Sequence, residues 1–203
     1  MPGVDVVVLA GGGSTRMGSD KATLVVDGRP LLGHVLDGLR ALPAGTIGRV
    51  VVVGPESLPL PVGVVRTMED PPGGGPAAAV LAGLDALSAC PSGLADEDLV
   101  LVCTCDAPGS AAVAAGLVAA ARSSSGDGVV ALANGRGQHL LAVYRTGALR
   151  RASREASSRG ESPHGMPVRH LVGGLDLQAI PVADHAAADL DDPDALRRWR
   201  AEG

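Results

Sequence analysis

A three-layer α/β sandwich around a mostly parallel sheet is the fold class that the 203-residue sequence predicts. Three observations carry that expectation. Short apolar runs at residues 4–10, 50–53 and 99–105 alternate with stretches of helical periodicity, which is the βαβ pattern. Those runs are continuous rather than alternating, as strands covered on both faces are. Glycine, proline and aspartate gather just after them, where the ligand-binding connections of such a sheet lie. The length suits one domain spanning 1–203.

The first run ends in Leu9-Ala10-Gly11-Gly12-Gly13, followed by Ser14-Thr15-Arg16-Met17-Gly18-Ser19-Asp20-Lys21-Ala22. A glycine-rich turn after a strand lets backbone N–H groups approach a polyphosphate without interference from Cβ atoms. Arg16 and Lys21 then supply a planar fork and a point charge for the phosphates. A Walker loop is excluded, because Gly18 is followed by Ser19-Asp20 rather than by lysine. The dinucleotide fingerprint is excluded too, because Arg16 stands where its third glycine belongs.

Residues 30–42 read as a helix, with Leu32, Val35, Leu36, Leu39 and Leu42 on one face and Pro30 at its start. After the strand at 50–53, a proline-rich connection leads to a shorter strand at 62–67. The second loop, 68–76, opens an alanine-rich helix with Val80, Leu81, Leu84 and Leu87 along one side. The strand at 99–105 ends at Asp106-Ala107-Pro108, before a helix over 110–122. Strands at 128–133 and 139–144 are joined by Asn134-Gly135-Arg136-Gly137, a looser hairpin that predicts one antiparallel strand. Helices over 148–158 and 163–173, a strand at 175–182 and a helix after the acidic segment 189–194 complete the reading. The first loop, Asp70, Asp106 and Asp189 all follow predicted strands, so one crevice at the carboxyl ends can hold them.

Composition narrows the function classes. Net charge is −5, without a basic run, and Phe is absent with one Trp and one Tyr. A nucleic-acid footprint and base-stacking platforms are therefore not expected. No run approaches the ~20 apolar residues of a membrane span, and no basic segment precedes the first apolar stretch. Three cysteines without a secretory signal point to a reducing cytoplasm. Cys103 and Cys105 share one strand face and read as small buried hydrophobes rather than metal ligands. His139, His164, His170 and His185 are scattered through the chain, and none is assigned a role. Asp106, after an apolar strand, is the best candidate for a Mg²⁺ carboxylate, although an Asp opening a turn before Pro108 is also a common local device.

The run Leu9 to Ala22 resembles the signature of the nucleotidyltransferases that include molybdenum cofactor guanylyltransferase, with Arg, Met-Gly and Asp-Lys in register. The resemblance implies a Rossmann-like nucleotidyltransferase fold in which Leu9, Ala10, Gly11, Gly12, Gly13 and Lys21 bind the nucleotide and Arg16, Lys21 and Asp106 are catalytic. The second loop is similar to the family's Gly-Pro region, with Asp70 where a carboxylate meets the guanine edge and Gly75-Pro76 in place. The segment from Asp189 resembles the family's Asn-x-Asn-Thr-Pro-x-x-Leu, with Asp at three polar positions, so Asp189 is either a second metal ligand or only a helix start. Arg136, Gln138 and Tyr144 fall on the strand that faces the acceptor in that family. The family often has an Asn that helps read the base where this chain has Gly54-Pro55.

The activity so implied is Mg²⁺-dependent transfer of GMP from GTP to molybdopterin, the molybdenum cofactor, with release of pyrophosphate. Molybdoenzyme maturation proteins are further implied partners; nucleic acid and membrane are not. A cytidylyltransferase of the same fold, acting on that cofactor or on another small phosphate or alcohol, is the alternative. A non-catalytic nucleotide-binding accessory protein is a second alternative, and joint retention of Arg16, Lys21 and Asp106 argues against it.

Overall fold

The computed structural model describes residues 2–11, 21–190 and 197, and of Lys21 the backbone only. Strand β1 (Val4–Leu9) is buried along its whole length. A 3₁₀ turn (Lys21–Thr23) leads to a small hairpin, β2 (Val25–Val26) and β3 (Arg29–Pro30), and then to α1 (Leu31–Arg40). Next come β4 (Ile47–Val53), β5 (Val64–Thr67), α2 (Gly75–Ser88), β6 (Leu99–Thr104) and α3 (Ser110–Ser123). The last third holds β7 (Gly128–Ala133), β8 (Arg136–Arg145), α4 (Thr146–Ser158), α5 (Val168–Leu171) and β9 (Leu177–Pro181), followed by a 3₁₀ turn (Asp184–Ala187).

Seven strands form one sheet in the order β5-β4-β1-β6-β8-β7-β9. Strand β1 pairs in parallel with β4 and β6, and β8 is the antiparallel member, paired with β6 and β7. The alternation within β1 explains the three layers. Val6 and Val8 pack on one face with Leu36 of α1 and Leu117 of α3. Val7 and Leu9 pack on the other with Leu84 of α2, Leu149 of α4 and Leu171 of α5. A core this free of large aromatic side chains closes by tight approach. A Cβ on Gly83 of α2 would lie 2.4 Å from Val7 Cγ1, and one on Gly38 of α1 would lie 2.6 Å from the Ala111 Cβ of α3.

Two expectations are corrected. The connection between β7 and β8 is a two-residue turn, Asn134-Gly135, with φ of 50° and 69° and Ala133 opposite Arg136. Both turn residues adopt the left-handed conformation, the type I′ geometry that matches strand twist. The predicted helix over 163–173 contracts to Val168–Leu171. Gly165, at φ 78°, and Pro167 break the helical backbone before that point. Among the described residues, no helix is long and apolar enough to cross a membrane. The predicted terminal helix lies outside the described residues, apart from Arg197.

Candidate active site

The carboxyl ends of the three central strands are tied together beyond their ladders. Ala10 N–H donates to Val53 O at 2.8 Å, and Cys105 N–H donates to Leu9 O at 2.9 Å. Gly11, at the start of the first loop, and the Asp106 turn are thereby held beside one another. Gly54 belongs to the same junction: a Cβ there would lie 2.8 Å from Leu58 Cδ1 and 3.1 Å from Ala10 O. That close approach gives Gly54 a packing reason, since any side chain there would have to displace the Leu58 tip and press on Ala10 O.

Asp106 is half-buried, and its main-chain oxygen accepts from Leu190 N–H at 2.8 Å. Leu190 is buried with Val26 and Leu31, so the β2–β3 hairpin anchors the chain after β9 against the end of β6. The neighbouring Asp189 stays exposed. Asp106 and Asp189 line one cleft of about 370 Å³, together with Ser110, Gln138, His139 and Arg169. Among the described residues no three His, Cys, Asp or Glu side chains cluster as a metal centre, so the two carboxylates would leave most coordination positions to a ligand.

His139 reaches the cleft through an irregularity in β8. Val130 of β7 faces Ala142, whereas the next residue, Ala131, faces Gln138, so residues 139–141 bulge out of the ladder. Tyr144, fully buried, donates its hydroxyl to His139 O at 2.7 Å and pins that bulge. Burial raises the Tyr144 phenol, which keeps it a donor. Burial, and then the charge of Arg169, lower the His139 imidazole below its ordinary range and favour its neutral form. Its Nδ1 and the hydroxyl of Ser110 are both buried without a hydrogen-bond partner. Neither residue carried a motif. The tight Asn134-Gly135 turn, set against the absence of strict alternation in Gln138-His139-Leu140-Leu141, is the sequence signal that could have pointed to the bulge. Tyr144 itself, being fully buried, does not face an acceptor, which corrects that expectation.

The remaining predicted residues are spread along the same edge. Leu9 and Ala10 are buried and Gly11 is exposed. Gly12, Gly13 and Arg16 lie outside the described residues, as does the side chain of Lys21. Gly75 opens α2 at φ 83°, a conformation that favours glycine. Asp70 is exposed between β5 and α2 and lines a different groove of about 770 Å³ with Met68, Leu81, Asp85 and Arg150. The structure thus brings Asp106 and Asp189 into one cleft and leaves Asp70 three strand positions away along the sheet edge. Cys103 and Cys105 are buried in the core, and burial pushes the Cys103 thiol up to about 12, so the small-hydrophobe reading holds.

A family model described as MobA-like NTP transferase domain matches residues 6–171. A protein of Mycobacterium marinum named "probable molybdenum cofactor guanylyltransferase" is 34% identical over 200 residues, 92% of this chain and 91% of that protein. One of Bacillus cereus with the same name is 32% identical over 144 residues, 68% of this chain and 66% of the relative. Two solved structures share the fold. A molybdopterin-guanine dinucleotide biosynthesis protein A from Archaeoglobus fulgidus superposes with a TM-score of 0.67 at 17% identity, covering 98% of both chains. A 2-C-methyl-D-erythritol 4-phosphate cytidylyltransferase from Francisella tularensis superposes at 0.78 with 14% identity, covering 98% of this chain and 100% of that one.

Proposed function

As the chain belongs to the MobA-like NTP transferase family and is a nucleotidyltransferase, we propose that it transfers GMP from GTP to the phosphate of molybdopterin and releases pyrophosphate. The observation that carries this reading is the pair of carboxylates, Asp106 and Asp189, lining one cleft at the end of β6, whose neighbour β1 ends where the glycine-rich segment begins. Two hard oxygen donors with room for phosphate oxygens fit Mg²⁺, which when bound neutralises charge on the α-phosphate and on the leaving pyrophosphate. Arg16 and Lys21 hold the triphosphate, and the acceptor's own phosphate is the nucleophile, so no side-chain nucleophile is required.

Sheet order supports one polarity for the bound nucleotide. From β5, which leads to Asp70, to β6, which leads to Asp106, are three strand spacings, roughly 14 Å at about 4.8 Å each. In this reading the base lies at the Asp70 end, the phosphates cross the end of β1, and the α-phosphate meets Asp106. A carboxylate at Asp70 accepts from guanine N1–H and N2–H₂ together, which cytosine cannot match. Three free cysteines fit work in the reducing cytoplasm, and molybdoenzyme maturation proteins would take the product.

The test is incubation with molybdopterin, Mg²⁺ and each of the four nucleoside triphosphates, with pyrophosphate and the nucleotide adduct both measured. GTP is expected to give the adduct. Preference for CTP would replace guanylyl by cytidylyl transfer, and nucleotide binding without pyrophosphate would remove the catalytic reading.

A further inference from the structure

Buried polar side chains are almost always hydrogen-bonded in folded proteins, so two orphans in one cavity call for a common explanation. Ser110 is 2% exposed, and its hydroxyl has no partner; His139 Nδ1 is buried and has none either. They come from different elements, the first residue of α3 and the bulge of β8, and they line the same cleft. Neither of these two side-chain atoms makes a bond that serves the fold. Arg169 of α5 lines that cleft as well and is exposed to it, the cation opposite the carboxylates.

We propose that Ser110, His139 and Arg169 form the seat of the acceptor's phosphomonoester, beside the carboxylates that meet the nucleotide. The Ser110 hydroxyl and the Nδ1–H tautomer of a neutral imidazole each donate once, and the guanidinium supplies a charged fork. The fourteen-residue helix α3 begins at Ser110, and its amino end adds positive potential at the same place. Held there, the phosphate shares the cleft lined by Asp106, the carboxylate that the proposed function puts at the α-phosphate. Tyr144 acts through His139: its bond to His139 O fixes the bulge that aims the ring, which makes it a positioning residue. This assignment rests on the nucleotidyl-transfer reading for the identity of the acceptor, while the anion seat itself does not.

Two measurements separate those layers. In the first, inorganic phosphate is titrated into the native protein in chelator-containing buffer, and the imidazole signals are followed by NMR, with His139→Asn assigning the resonance. A saturable shift of the His139 signal is expected, weakened about 10-fold in Ser110→Ala and in Arg169→Gln. An unmoved His139 signal overturns the seat, whatever the enzyme's substrates prove to be. In the second, steady-state kinetics with molybdopterin and GTP are compared among native, Ser110→Ala, His139→Leu and His139→Asn proteins. The KM for molybdopterin is expected to rise about 10-fold in the first two variants with the KM for GTP unchanged. His139→Asn, whose amide places a donor near the Nδ1 position, is expected to recover most of the loss. A rise in the KM for GTP alone would give the seat to the triphosphate and overturn its assignment to the acceptor. If no transfer to molybdopterin occurs at all, the proposed function fails and the phosphate titration still decides the seat.

Discussion

The two ends of the sheet hold their charged groups differently. At the amino end, Asp5 of β1 is buried and takes three hydrogen bonds from Arg49 of β4: from its main-chain N–H at 2.7 Å, from Nε at 3.0 Å and from Nη2. Arg49 also donates to Leu87 O at 3.1 Å and Gly93 O at 2.9 Å, closing the last turn of α2. The bond to Asp5 raises the guanidinium pKa further. A second network joins Asp127, Arg151 and Asp176 below β7 and β9. At the carboxyl end, buried Ser110 Oγ and His139 Nδ1 are left without partners beside Asp106 and Asp189. Thr146 Oγ1, buried beside the start of β6, lacks a partner too, so what sets the carboxyl end apart is that its two orphans share one open cleft, whereas the amino end's charges are paired.

The contrast breaks most visibly at Asp106. Asp106→Ala should lower transfer at least ~10²-fold, because it removes a metal carboxylate, while thermal unfolding stays near native. The residue is half-buried, and the bond that its oxygen accepts from Leu190 N–H is made by the main chain and survives the substitution. Near-native turnover in Mg²⁺ would take Asp106 out of the mechanism. A collapsed Tm would instead place it with the structural carboxylates of the opposite end.

Asp5→Ala is the mirror experiment. Breaking a buried ion pair costs about 3–5 kcal/mol, and the Arg49 side chain here is still 28% exposed, so about 2–3 kcal/mol is expected. Urea denaturation should show that loss, and the transfer rate per folded molecule should not change. Activity falling more than stability explains would mean that the two ends of the sheet are coupled.

How much of this contrast was legible in the sequence depends on the residue. The buried strands were, because Val50 to Val53 and Leu99 to Val102 are continuous apolar runs that only a covered sheet accommodates. Asp106 was, because a carboxylate ending such a run stands out. The Asp5–Arg49 pair was not, since the partners are 44 residues apart and meet only through the β1–β4 register. The His139 bulge was only faintly legible, in the broken alternation of Gln138-His139-Leu140-Leu141, because the Tyr144 bond to His139 O that pins it has no pattern of its own in the sequence. The β2–β3 hairpin carries a local signal, Asp27-Gly28 with φ of 48° and 79°, which the flanking two-residue strands are too short to reinforce.

Asp70 sharpens the comparison by a smaller amount. Its exposed side chain has no partner among the described residues, so Asp70→Asn should leave stability unchanged. Mispaired polar groups at a base edge cost about 1–3 kcal/mol each, so the native chain should prefer GTP over CTP by about 10-fold or more. The amide retains one acceptor and loses the charge, and the preference should shrink accordingly. Relative kcat/KM for the two nucleotides decides it: an unaltered ratio would move base recognition elsewhere along the sheet edge.

The smallest effect belongs to the second structural network. Burial pushes the Asp127 carboxyl up, but bonds from Arg151 at 2.7 Å and from Asp176 N–H at 3.0 Å, with the charges of Arg151 and Arg145, outweigh it and hold the pKa below the usual range. A carboxylate whose pKa falls on folding stabilises the native state above its unfolded value of about 3.9, and that contribution is lost as pH drops through the folded value. Arg151 is 46% exposed, so solvent screening limits the contribution to at most about 1 kcal/mol. Asp127→Asn cannot titrate and keeps a single acceptor oxygen, so one of the two bonds goes. Its stability should be lower than native at neutral pH by that small amount, and the two curves should converge as acid protonates the native carboxyl. Denaturation followed from neutral pH down through the carboxylate range reads this directly. Curves that run parallel, with no convergence, would show that Asp127 holds β7 to β9 by its geometry alone and not by its charge.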